Sequence, residues 1–474
     1  MSAAFLDKLR AIVGKENVLA ERGERIVYEG DAYPIEKALP LATVLPDTTE
    51  QVSRIVRLCN QEQVPFAPRG AGTGLAGGFL CPDGVLIGVA RLNKILEIDL
   101  RNRRMVAQAG VVNFQLTKAV AADGFQFAPD PSSQGASTIG GNIGNNAGGP
   151  HTLKYGVTVN HVLGLEMVLP DGEIVTLGDR TEDTNGYDLV GLAVGSEGTF
   201  GIVTQATLRL VPQPVDVRTM LAVFQTPDDA TQTVSDIVAA GIVPAALEML
   251  DSDIIKTVED AFHFGFPRDA GALLIIEVDG LPAGLERAAQ TCVAICEKNN
   301  AREVRTAADA RKRAELWAAR KKAVGTLGRL APSHVTQDCV IPRSKLPQVL
   351  RAIAEIASRN EVRIANVFHA GDGNLHPITL FDERDPAQIE RVMAASRDII
   401  ELCLSLGGTL TGEHGIGVEK RDFMPLLFSA ETLKTMEDVR DVFNALGLCN
   451  PGKVLPSSHG CSYEVRPRIG AFAV

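Results

Sequence analysis

The sequence predicts an α+β protein of more than one domain: an N-terminal α/β region, a middle antiparallel sheet covered by helices on one face, and a helical C-terminal segment. Three observations carry this. At 474 residues the chain exceeds the size at which a single hydrophobic core stops growing. Residues 42–89 read as an apolar strand, a periodic helix from Thr49 to Gln63 and another strand, the start of an α/β unit. Beyond Pro212-Gln-Pro214, which marks a boundary, strands and helices alternate in the rhythm of a split βαβ domain.

The elements follow in order. Residues 1–10 place charges inside an apolar pattern and read as the start helix of a cytoplasmic protein, not as a leader. Strands are expected at Val64 to Ala67, Ile95 to Asp99, Met105 to Ala109, His161 to Val168 before a Pro170-Asp-Gly172 turn, and Ile202 to Val211. Further on, 217–225, 271–279 and 363–368 read as strands, and 228–241, 284–300 and 344–359 as helices. After Leu410 the chain turns mainly helical up to Asn450-Pro-Gly-Lys453, and 457–474 lacks periodicity, as a tail does. The division expected is 1–214, 215–410 and 411–474.

Composition narrows the function. A formal charge of -11 and a pI near 5.4 argue against nucleic acid and against electrostatic docking to anionic lipid, while leaving small acids open through local cations. No apolar run approaches the roughly 20 residues that cross a bilayer. Eight cysteines are scattered without one Cys-x-x-Cys pair, which argues against iron-sulfur and zinc-ribbon spacings; Cys292 and Cys296 read as buried thiols.

The chemistry concentrates in His369-Ala-Gly-Asp-Gly-Asn-Leu-His376 and in Glu413-His414. Two imidazoles and a carboxylate suit a divalent zinc, manganese or iron with a coordination position left open for substrate. Residues seven apart on a straight strand point to opposite faces, but Gly371 and Gly373 permit a tight turn that brings both rings together. His414 then remains free to accept a proton. A lone His is ordinarily a satisfied polar residue; three of the chain's eight in two glycine-rich turns read as a site.

Three glycine runs point to a second ligand. Arg69-Gly-Ala-Gly-Thr-Gly-Leu-Ala-Gly-Gly78 satisfies the bare G-x-G-x-x-G spacing, but a turn and a strand follow instead of a long helix, so a Rossmann NAD site is disfavoured. The Gly-Lys-Ser/Thr ending of a P-loop is missing too. With Ser137 to Gly149, preceded by Ser133, and Gly195 to Gly201, these loops offer backbone donors to a long polar ligand such as a diphosphate.

Together these motifs resemble the FAD-linked oxidases of the vanillyl-alcohol oxidase and p-cresol methylhydroxylase type, in particular the D-2-hydroxy-acid dehydrogenase branch. The resemblance implies an N-terminal FAD-binding domain of two α/β subdomains, a ferredoxin-like cap and a C-terminal segment returning to the FAD domain. It makes Pro68, Arg69, Gly70, Ala71, Gly72, Thr73 and Gly74 a pyrophosphate loop. Ser133, Thr138, Gly140, Gly141, Asn142, Gly144, Asn145 and Asn146, with Glu197, Gly201, Ile202 and Asn450, become further contacts of a non-covalent FAD. His369, His376 and Glu413 match metal ligands, His414 a catalytic base, and Arg320 a residue holding the substrate carboxylate. Without the family, Arg320 reads as a solvated helix face among other cations. His151 and Lys154 carry no assigned role.

The activity implied is oxidation of a small D-2-hydroxy acid, glycolate or D-lactate, by deprotonation beside a metal and hydride transfer to FAD. Relatives acting on D-2-hydroxyglutarate carry a Lys near Thr336 and an Asn near Ile378; here neither position offers a partner for a second carboxylate. The resemblance also implies a hetero-complex with an iron-sulfur electron-transfer subunit and a second FAD-binding subunit, held peripherally at the inner face of the membrane through partners. D-2-hydroxyglutarate oxidation, a non-catalytic FAD-binding subunit and a flavin-free metallohydrolase stand as rival readings.

Overall fold

A computed structural model describes residues 3–181 and 186–456. The first sheet orders its strands Val18–Leu19, Ala42–Val44, Val85–Gly88 and Phe66–Arg69, the last three mutually parallel. Between two of them runs the helix Thr49–Gln61, capped by the Thr48 hydroxyl accepting from the Gln51 amide. It presents Val52, Ile55, Val56 and Cys59, spaced at three and four, to the sheet. Phe66–Arg69 then runs off its carboxyl end into the first glycine loop, where ligands of parallel sheets collect.

The second sheet has five antiparallel strands in the order Ile95–Asp99, Arg104–Gln108, Ile202–Arg209, Val162–Val168, Ile174–Gly178. The second glycine run forms the helix Ile139–Asn145, whose N-cap Thr138 accepts from the Gly141 amide.

The third sheet is antiparallel throughout. Its order is Glu303–Thr306, Asp216–Phe224, Ala272–Gly280, Ala246–Asp251, Arg363–His369, Asn374–Leu375, Cys339–Val340. Pro377–Phe381 also pairs with Arg363–His369 and carries Ser333–Thr336 beyond it. Helices cover both faces, against the single covered face expected. Leu247 and Met249 pack with Val234, Leu285, Val349 and Ile399 on one side. Leu250 and Val367 pack on the other with Ile255, Ala319 and Ala323, from the helices Ser252–Phe262 and Ala310–Thr326. The strand period of two puts Glu248 and His369 on this second face, directly opposite each other in register.

The stretch 411–420, expected to be mainly helical, is irregular. The amides of Gly412, Glu413 and His414 donate to the Asp338 carboxylate, those of Ile416 and Gly417 to Glu197, and those of Val418 and Glu419 to the Ala76 carbonyl, so no i−4 ladder runs before Lys420; helix resumes at Met424–Leu427 and Ala430–Phe443. The chain then returns to the first sheet, where Asn450 donates its amide to the Phe66 carbonyl and Phe66 to that of Leu448. The expected tail at 457–474, with Cys461, lies outside the described residues. Among the described residues no helix is long and apolar enough to cross a membrane.

Candidate active site

His369 ends one strand and His376 immediately precedes the next, and the intervening hairpin turns through Gly373 at φ +81°. A Cβ there would lie 2.2 Å from the Ile341 carbonyl oxygen, so both space and dihedral call for glycine. The two rings meet at 5.1 Å, nearly perpendicular. Glu413 arrives from the irregular segment and places Oε1 3.1 Å from Nε2 of both rings.

Their opposite nitrogens are already engaged. His369 Nδ1 lies 2.8 Å from Glu248 Oε1, and His376 Nδ1 lies 3.4 Å from the Gln337 carbonyl. Both Nε2 atoms thereby converge on one carboxylate oxygen, and each would offer its lone pair to a cation that displaced the proton, the arrangement of a carboxylate–histidine metal triad. Burial opposes charge on His369, yet Glu248 and Glu413 outweigh it and hold the ring well above its usual pKa. Burial likewise pushes the Glu413 carboxyl up, and His369 and His376 overcome it and hold it low. Glu248 is matched by Arg320, and the two imidazoles and the Glu413 carboxylate form a donor set that fits zinc, manganese or iron.

His414 stacks on His376 at 4.8 Å with an interplanar angle of 6°. Burial drives its pKa down to about 4 against the pull of Asp338, so the ring is a neutral acceptor at physiological pH. Asp338, His376 and His414 make a second cluster of ligand-type atoms. Its charge is already matched, since Lys420 Nζ sits 3.6 Å from Asp338 with no exposure on either side chain.

Arg320 is buried to 3% exposure in the helix Ala310–Thr326, which corrects the solvated face its basic neighbours suggest. Its Nε donates to Glu248 Oε2 at 2.6 Å. No other protein partner of its guanidinium is found among the described residues. The missed residue here is Glu248. Its signal was a single acid in the apolar run Ala245-Ala-Leu-Glu248-Met-Leu250, which itself escaped recognition as a strand.

A cavity of about 320 Å³ joins these groups to the glycine loops. Pro68 to Gly74, Ser133, Thr138, Gly140, Gly141, Asn142, Gly144, Asn145, Glu197 and Gly201 line it, as do Arg320, His376, Glu413 and His414. Thr336 and Ile378, cross-strand partners, form part of its wall. The loops fit a bound cofactor. The Asn142 side-chain Nδ2 and the Ser137 hydroxyl are buried on this wall without a hydrogen-bond partner in the protein, and a Cβ on Gly70 would lie 2.5 Å from the Thr138 hydroxyl.

Three residues expected at the cofactor are not on the cavity wall. Asn146 caps a turn, accepting from the Val159 amide; Ile202 is packed in the first core; Asn450 donates to the Gly78 and Glu197 carbonyls behind the wall. Glu197 lines the cavity, but its carboxylate is committed to the Ile416 and Gly417 amides. Asp31, unforeseen, lines the cavity and braces the first loop by accepting from the Gly77 amide, with burial pushing its pKa up to about 6.

His151 and Lys154 prove to join the second glycine run to the third sheet. His151 lies between Asp130 and Glu277, and Lys154 pairs with Asp279.

Known proteins resemble this chain in sequence and in fold. Residues 40–178 match the family described as FAD binding domain, and residues 213–454 that described as FAD linked oxidases, C-terminal domain. The 4-ethylphenol oxidase of Gulosibacter chungangensis superposes with a TM-score of 0.80 at 18% identity, covering 96% of this chain and 97% of that one. The p-cresol methylhydroxylase structure with substrate bound gives 0.78 at 16%, covering 97% and 98%. The chain belongs to the FAD-linked oxidases. Within that family it is similar, at 43% identity over 97% of its length and 92% of the relative's, to glycolate oxidase subunit GlcD of Escherichia coli strain K12. The subunit of that name from Bacillus subtilis strain 168 is 42% identical over 94% of this chain and 96% of its own. A D-lactate dehydrogenase of Anaerostipes hadrus is 32% identical over 95% and 97%. Membership removes the flavin-free hydrolase from consideration.

Proposed function

We propose that the protein oxidises a small D-2-hydroxy acid, glycolate or D-lactate, to the 2-oxo acid, with residues 1–214 holding the flavin and 215–410 forming the substrate-side cap. The observation that carries this is the convergence, on one cavity wall, of three glycine-rich loops with Arg320, His376, Glu413 and His414. The names of the relatives support the substrate class.

FAD, when bound, supplies the hydride acceptor, and a divalent cation at His369, His376 and Glu413 supplies a Lewis acid for the hydroxyl oxygen. The chain's own residues do the rest. Arg320, its Nε edge held by Glu248, turns its unpartnered edge to the substrate carboxylate. His414, neutral through burial, takes the hydroxyl proton, a contribution of roughly 10²- to 10⁴-fold in rate. Thr336 and Ile378 close the wall without a charge, which suits a two- or three-carbon acid and disfavours a dicarboxylate.

Electrons then leave through a partner. The sequence has no Cys-x-x-Cys pair, and all seven described cysteines are free and buried. A relative named as a subunit supports membership of a complex; an iron-sulfur protein and a second FAD-binding subunit at the inner membrane face are the partners that the family resemblance implies. Purification of the tagged chain from its native host should bring down an iron-sulfur protein; its absence would contradict the complex. For the activity itself, anaerobic glycolate or D-lactate should bleach the flavin spectrum, and a spectrum indifferent to both would overturn it.

A further inference from the structure

Glu248 sits at the junction of two arms that the proposed function treats separately. Its carboxylate is fully buried; one oxygen accepts from Arg320 Nε at 2.6 Å, and both lie within hydrogen-bond distance of His369 Nδ1, at 2.8 and 3.0 Å. Neither neighbour is close in sequence. His369 is opposed to it across the sheet in register, and Arg320 reaches down from the helix packed over that face.

We infer that Glu248 is a positioning residue that sets the metal-ligating nitrogen of His369 and the carboxylate-binding edge of Arg320 from one anchor. This rests on the reading of both arms given above. By accepting at Nδ1, the carboxylate keeps a proton there and makes Nε2, 3.1 Å from Glu413, the nitrogen that would bind the cation. By accepting at Nε, it pins the guanidinium in plane and leaves the Nη edge for an incoming acid. Of the side-chain ends available, only a carboxylate accepts on both sides. A glutamine would set an amide N–H against either the His369 or the Arg320 donor.

The test uses FAD-loaded enzyme and measures Mn²⁺ and Zn²⁺ binding in the resting state by competition with a chromophoric chelator. Three variants are compared: Glu248→Gln, Arg320→Met, and Glu248→Gln combined with Arg320→Met. The double variant leaves no buried guanidinium unpaired and guards against failure of the single variant to fold. Both variants lacking Glu248 should keep FAD yet bind the cation about 10- to 100-fold more weakly. Arg320→Met should stay within about threefold of the unaltered enzyme in cation affinity, because the Glu248–His369 pair is intact. At saturating cation, Glu248→Gln should raise the glycolate KM by a larger factor than it lowers kcat. Flavin-loaded Glu248 variants that hold the cation as tightly as the unaltered enzyme would overturn the inference. Unaltered enzyme that takes up neither ion would instead overturn the metal reading, and this inference with it.

Discussion

Asp338 and His414 meet through the backbone. The buried carboxylate accepts the His414 amide at 2.9 Å, together with the amides of Gly412 and Glu413 and the hydroxyl of Thr411. One anion therefore shapes the turn that delivers both the carboxylate ligand and the base. Burial opposes its ionisation, but His414, Lys420 and His376 outweigh burial and hold it well below the usual carboxylate range.

Asp338→Asn should accordingly destabilise the protein by about 1.5–3 kcal/mol at pH 7, since the turn amides lose a charged acceptor and Lys420 keeps only Glu419, 3.8 Å away, as a carboxylate partner. A depressed folded pKa contributes stability above the unfolded value of about 3.9 and loses it as pH falls below that value. Thermal melts should therefore show the gap between variant and parent narrowing under strongly acid conditions. An equal gap at every pH would refute this assignment.

Glu419 titrates in the opposite sense. Burial pushes its pKa up to about 7, against the pull of Lys420, whose Nζ lies 3.8 Å from a carboxylate oxygen that is buried without a hydrogen bond. A folded pKa above the unfolded value of about 4.3 means that the parent loses stability as pH rises between the two. Glu419→Gln removes that loss, so the variant should gain on the parent between about pH 4 and 7. A constant difference across that range would show that the group does not titrate there.

His414→Ala should retain FAD and metal while turnover falls by about 10²-fold or more. A loss of less than about tenfold would remove His414 from the role of base.

Thr336 and Ile378 oppose each other in register on the cavity wall. Thr336→Lys should place a cation there and raise kcat/KM for a five-carbon hydroxy diacid relative to glycolate by at least about tenfold, a shift that a single charge pair can deliver. An unchanged ratio in steady-state kinetics would show that this wall does not select substrate length.

The parts of the site legible in the sequence were those written locally. His369, the two glycines and His376 fit one hairpin, and the glycine runs announced themselves by composition. Helices with a clear apolar stripe, such as Thr49–Gln61 and Leu346–Arg359, were found to within a few residues. What stayed hidden depends on pairing between distant segments. Glu248 meets His369 across 121 positions and Arg320 across 72. Arg320 looked solvated because its helix is basic on several sides, and nothing local reveals that its buried turn faces an anion. The segment around Glu413 looked helical because its amide acceptors, Asp338 and Glu197, lie 75 and about 220 positions away.

The most direct measurement is the anaerobic reduction of the purified yellow protein by glycolate and by D-lactate, before and after a chelator strips divalent ions. Rapid bleaching of the flavin bands, abolished by the chelator and restored by Mn²⁺ or Zn²⁺, is the expected result. A chain that retains no flavin, or one that bleaches as fast without ions as with them, would contradict a cation held by His369, His376 and Glu413 acting beside the flavin.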